Sequence, residues 1–266
     1  MLEYAFMRRA LLTGMMLSII IPLIGTIVVN RKTSTIGDAL SHTSLAGISV
    51  GLILSINPLI GAIVASILGA FSIEKIRAKF PQNGDLATAI ITSLGIGMAS
   101  ILSDFVPGSQ NFESFLFGSI ISINTMDMLI VLAVTILVIV LYLYLDYGLL
   151  SIAVDSTQAR LSGVRLSLNE NLFTLLLAIT IAVSSKIVGV LIISSTMILP
   201  VASSMMVSKN YRSTVRNSLV FGFVYMMVGI VSAYYLSLKP GGTIVIVSII
   251  GLILSIFIKK TRQLVS

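Results

Sequence analysis

The chain has 266 residues, of which 56% are hydrophobic and only 10% charged, with a formal net charge of +7. A water-soluble domain carries about 25% charged residues, so this composition excludes one, and the length has room for roughly eight membrane spans of ~20 residues. The sequence contains no cysteine, which excludes disulfides, thiolate metal sites and thiol redox chemistry.

Apolar runs fall near residues 10–29, 36–56, 58–73, 86–104, 126–146, 171–185, 187–207, 213–237 and 243–258. The first is too long for the apolar core of a signal peptide and ends in Asn30-Arg31-Lys32 without a small-residue cleavage site, so it is expected as the first span. Some runs are shorter than a full crossing, and Lys186 divides the 171–207 stretch, which is too long for one helix; eight spans are expected, with nine as the alternative. Pro58, Pro107 and Pro240 mark turns, because proline cannot continue a helical hydrogen-bond ladder. The predicted fold is a single all-α, polytopic membrane domain over residues 1–266.

Basic residues sit between the apolar runs, at Arg31-Lys32, Lys75 to Lys79, Lys209 to Arg216 and Lys259-Lys260. This is an orientation signal placing those loops in the cytoplasm, and it implies no nucleic-acid partner. The loop from Asp104 to Asn124 has no Lys or Arg and is predicted to face outward. The same alternation leaves Arg8-Arg9 outside, against the rule, unless residues 1–9 lie along the interface. Residues 112–121 read as a short interfacial or re-entrant helix. Residues 151–169, with Asp155, Arg160, Gly163 and Arg165 among small and apolar residues, read as an amphipathic cytoplasmic helix followed by a turn.

The chemistry concentrates at residues 37–42, Gly-Asp-Ala-Leu-Ser-His. Asp38 and the chain's only histidine, His42, stand at i and i+4, about 40° apart on a helical wheel. Ionisable side chains inside a spanning helix are costly and mark functional sites. A carboxylate with an imidazole suits zinc or manganese; the competing reading has Asp38 capping the helix and His42 bonded to nearby backbone. Gly47 and Gly51 lie on the opposite side as a small-xxx-small pattern that admits close helix packing. Asp85 and Asp104 are further ligand candidates, Asp85 equally a helix cap. Asp155, Ala159 and Gly163 repeat every four residues, a stripe suited to helix-in-groove docking on another protein, or an ordinary linker. No G-x-x-x-x-G-K-[ST] phosphate loop or H-E-x-x-H occurs and there is a single histidine, so neither ATP hydrolysis of the P-loop kind nor the common hydrolase constellations are expected.

The run from Arg31 to Gly47 resembles the second-span segment of metal-ion ABC importer permeases. Four further stretches resemble the same family in the same order: Leu116 to Ile120, Asp155 through Ala159 to Val164, Val188 to Ile192 with Leu199 to Ala202, and Pro240 to Gly242. The resemblance implies a homodimeric permease in the plasma membrane of a bacterium and no permanent cofactor. A separate cytoplasmic ATPase and an extracytoplasmic metal-binding protein are the implied partners. It further implies that Asp38 and His42 coordinate the transported ion near mid-membrane, and that the segment around Asp155, Ala159 and Gly163 meets the ATPase. His42 to Gly47 followed by Ile56-Asn57-Pro58 resembles the zinc branch, since manganese-type members tend to have proline where Ala46 stands; Gly241-Gly242 departs from a more usual proline-glycine. Manganese import, an ATP-independent secondary metal carrier, and a siderophore or cobalamin permease are the alternatives.

Overall fold

The computed structural model describes residues 3–80, 82–106, 109–154 and 156–265. The helices are α1 (Ala5–Asn30), α2 (Thr35–Ile53), α3 (Pro58–Lys79), α4 (Gly84–Ser103), α5 (Ser109–Phe117), α6 (Thr125–Val154), α7 (Ser156–Leu161), α8 (Leu166–Ser184), α9 (Ile193–Val207), α10 (Tyr211–Leu236) and α11 (Pro240–Val265). An all-helical answer follows from the solvent: hydrocarbon offers no hydrogen bonds, so each spanning segment must satisfy its own backbone. Pro58 and Pro240 each open a helix, where a missing N–H costs nothing; Pro107 lies outside the described residues.

Among the described residues nine helices are long and apolar enough to cross a membrane, with α6 crossing over Thr125–Leu145 and the ninth formed by Val190–Val207. The larger of the two expected counts is therefore the observed one, because the 171–207 stretch breaks at residues 185–189 and re-enters through a 3₁₀ turn at Val190–Ile192. Nine crossings also settle the parity. Starting outside, they put Arg31-Lys32, the end of α3, Arg160 and Arg165, the α9–α10 turn and Lys259-Lys260 all on the inner side, as the positive-inside rule requires. The packing groups the ends in the same way. Phe6, Ser119, Tyr234 and Lys239 line one cleft of about 530 Å³ at the outer end. At the inner end, Arg31 pairs with Glu170 and the Tyr142 and Tyr211 hydroxyls lie 3.2 Å apart.

Three local expectations are corrected. Residues 5–9 continue α1 rather than lying apart from it, so Arg8 and Arg9 belong to the outer end of the first span, where long basic side chains can reach the interface. The short outer helix occupies Ser109–Phe117 instead of 112–121, because Gly118 takes a left-handed φ of 78° and ends it. Within 151–169 the expected helix followed by a turn is present but shorter, confined to α7 and the turn after Leu161, with the end of α6 at Val154 before it and the start of α8 at Leu166 after it.

The outer break is the best-anchored irregular piece. Gly118 and Gly189, both at positive φ, press backbone to backbone: a Cβ on Gly189 would sit 2.5 Å from the Phe117 carbonyl carbon. The Ser119 N–H donates to the Lys186 carbonyl at 3.1 Å. Lys186, read from sequence as a divider between spans, is itself buried and donates to Asp127 Oδ2 at 2.5 Å. Asp127 also accepts from the Asn124 N–H and donates its own N–H to Asn124 Oδ1, closing a reciprocal cap on α6. Breaking a buried pair strands a charge, whereas replacing both members with apolar groups is often neutral. Lys186→Ala is expected to lower stability by about 3–5 kcal/mol. Lys186→Met with Asp127→Leu should recover most of that loss, as measured by thermal unfolding in detergent.

Candidate metal centre on the second helix

Helix α2 is a largely buried span whose other sides are occupied by neighbours. A Cβ on Gly47 would collide with the Gly61 carbonyl of α3, and one on Gly51 would lie 2.9 Å from Pro58 Cα. Across α2, Gly37 meets Met197 and Ser194 of α9. Helix α4 crosses at Gly95, where a Cβ would lie 2.8 Å from the His42 carbonyl carbon and the Thr43 nitrogen. The remaining face carries Asp38, which is exposed in the single chain, and His42, which is half-buried.

The helix-cap reading of Asp38 does not hold. The N-cap is Ser34, and Asp38 sits within the helix in its first turn. There its charge is favoured by the helix dipole. Among the described residues, neither the Asp38 carboxylate nor the His42 ring has a hydrogen-bond or ion-pair partner; only the Asp38 backbone carbonyl is engaged, by Ser41. The two side chains are near enough to interact electrostatically. At 1.5 Å per residue, Asp38 stands about 5 Å and His42 about 10 Å along a helix of roughly 27 Å. The pair thus lies in the first half of α2, with His42 about 3 Å short of the helix midpoint.

The other acidic candidates are not brought to it. Asp85 lies in the first turn of α4 and Asp104 caps its far end, both exposed. Among the described residues no three of His, Asp and Glu gather closely enough to hold a metal ion, so one chain brings no third such side chain to Asp38 and His42.

At the inner side, Asp155 lies outside the described residues. The Ala159 and Gly163 positions do not continue one helical stripe, because α7 stops at Leu161. The Val164 N–H bonds to the Ala159 carbonyl and the Gly163 N–H to that of Arg160, a Schellman motif with Gly163 as its left-handed residue, φ 84°. Ala159 is 3% exposed and turned into its own fold, while Leu161 is 84% exposed. Sequence periodicity could not find Leu161, because its exposure depends on where α7 ends.

Residues 3–259 match the profile described as the ABC 3 transport family. The chain belongs to that family. This ABC 3 chain is 34% identical to a "Probable metal transport system membrane protein" of Treponema pallidum, over 99% of both chains. It is 30% identical to the "High-affinity zinc uptake system membrane protein ZnuB" of Haemophilus influenzae, over 95% of this chain and 97% of that one. Against the "Manganese import system permease protein ScaB" of Streptococcus parasanguinis identity is 28%, over 98% and 93%. Its fold superposes on a chain of PsaBC from Streptococcus pneumoniae, solved in complex with Fab, with a TM-score of 0.88, 26% identity and coverage of 99% and 96%. The ABC 3 chain is thus a metal-ion permease, a multi-pass protein of the plasma membrane.

Two glycines on α4 separate packing at the site from helix propensity. Nothing lies within 4 Å of a Cβ on Gly97, whereas one on Gly95 meets the α2 backbone at His42. Gly97→Ala should leave stability unchanged or raise it by up to about 1 kcal/mol. Gly95→Ala should lower it by about 1–3 kcal/mol, and thermal unfolding of the two variants side by side measures the difference.

Proposed function

We propose that this permease imports zinc, with manganese as the second choice, and that Asp38 and His42 are the side chains that hold the ion in transit. The observation carrying the proposal is that a carboxylate and the chain's only imidazole share one face of α2 within the membrane, with no protein partner for either among the described residues. Oxygen and nitrogen donors without sulfur suit both metals. A second copy of the chain, related by two-fold symmetry, would supply the same pair again. Two carboxylates and two imidazoles make a four-ligand, tetrahedral zinc site. The exposure of Asp38 in the single chain supports such completion, as does Ala46, where the resemblance sets the zinc branch apart.

The ion arrives from an extracytoplasmic binding protein. Asp38 and His42 replace part of its hydration shell, and the spans then tilt so that the site opens inward. The energy comes from a separate cytoplasmic ATPase, in keeping with the missing phosphate loop. Its docking surface is the outward side of α7 and the following turn, with Leu161 as an apolar anchor and Arg160 beside it, while Ala159 seats α7 against the permease. An exposed Leu of this kind fits a groove on a partner.

Two experiments test this reading. Permease and ATPase reconstituted in vesicles, with the metal-binding protein supplied on the extracytoplasmic side, should take up zinc in preference to manganese, and Asp38→Ala or His42→Ala should abolish uptake while the complex still assembles; full transport by either variant rejects the site. Leu161→Glu should prevent co-purification of the ATPase without lowering the amount of folded permease. Normal co-purification would remove Leu161 from the interface.

A further inference from the structure

Arg31 is the C-cap of α1 and stands seven positions before Asp38. The turn that joins it to α2 is tight: the Lys32 N–H bonds to the Val29 carbonyl and the Thr33 N–H to that of Val28, with Lys32 itself left-handed at φ 54°. A lysine adopts that conformation only at a cost, so the surrounding bonds hold the turn in place. Arg31 therefore cannot shift far without carrying the start of α2.

Its guanidinium reaches α8. Arg31 Nη2 donates to Glu170 Oε1 at 2.9 Å, and the group lies 5.3 Å from the centre of the Phe173 ring. One helical turn unites these partners with a third contact: the Thr174 hydroxyl donates to Glu74 Oε1 of α3 at 3.0 Å. Glu170, Phe173 and Thr174 occupy i, i+3 and i+4, one face of α8. That face is gripped by the α1–α2 turn and by the last turns of α3, and α3 is closed onto α2 at Gly47 and Gly61. Helix α8 begins at Leu166, directly after the α7 turn.

From this geometry we infer that Arg31 and Glu170 form a strut that passes displacement of the α7 turn through α8 to α2, making Arg31 a positioning residue for the ion site. The inference rests on the importer reading. The pair is part-buried, with side chains 17% and 39% exposed; its removal loosens the transmission, and the amount of folded complex, measured alongside, separates that from lost stability. Arg31 acts through α2 and does not touch the ion.

The test uses the permease–ATPase complex in vesicles with the extracytoplasmic metal-binding protein supplied, and zinc or manganese uptake and ATP hydrolysis measured together. Arg31→Glu, Glu170→Arg, and Arg31→Gln, which keeps much of the stem over Phe173, should each cut ions imported per ATP by about tenfold, with hydrolysis retained. The exchange Arg31→Glu with Glu170→Arg should restore that ratio to within about threefold of the unaltered complex. An unchanged ratio in the single variants, or an exchange no better than either single variant, overturns the strut. Failure of the importer reading shows itself differently, as no uptake of either metal by the unaltered complex.

Discussion

Taking a carboxylate out of water costs several kcal/mol unless a partner compensates it, and a spanning helix offers few partners. Asp38 and His42 sit in such a helix with their functional atoms unengaged. The remaining sides of α2 are closed by contacts so tight that glycine is required, at Gly47 against α3 and at the Gly95 crossing of α4. The helix is thereby held by its backbone, and one face keeps its polar groups free. A divalent cation in transit is the partner proposed for them.

The other paired charges behave differently, and the contrast sharpens the assignment. Lys186 and Asp127 are buried together and bonded directly, joined to the Asn124 cap and the Ser119 contact that close the outer break. This pair fixes structure and has no spare capacity for an ion beyond one buried carboxylate oxygen. Arg31 and Glu170 are part-buried at the inner end, where they join the α1–α2 turn to α8. Charge in this chain thus stands in three settings, set by depth and by partners: a structural clasp outside, the pair proposed to hold the ion on α2, and a link between helices inside.

Much of this was legible in the sequence. The apolar runs gave the spans to within a few residues, since lipid forces each onto a helix. The i, i+4 spacing of Asp38 and His42 put them on one face, and the ordered motifs pointed to the family. What was not legible depended on distant parts of the chain. Lys186 read as a span divider because its partner Asp127 lies 59 residues away, and Arg31 finds Glu170 across 139. The four-residue spacing of Asp155, Ala159 and Gly163 suggested one stripe, but Gly163 ends the turn in a left-handed conformation instead of extending the helix. Asp85 and Asp104 looked like possible ligands until the length of α4 separated them.

The central claim is that the imidazole of this chain binds the transported ion, and the metal-edge X-ray absorption spectrum of the zinc-loaded permease–ATPase complex tests it most directly. Mixed nitrogen and oxygen ligands at about 2.0–2.1 Å, with an imidazole scattering signature that disappears in His42→Asn, is the predicted result. Zinc bound with an imidazole signature unaltered by that substitution, or with no imidazole at all, would contradict the account.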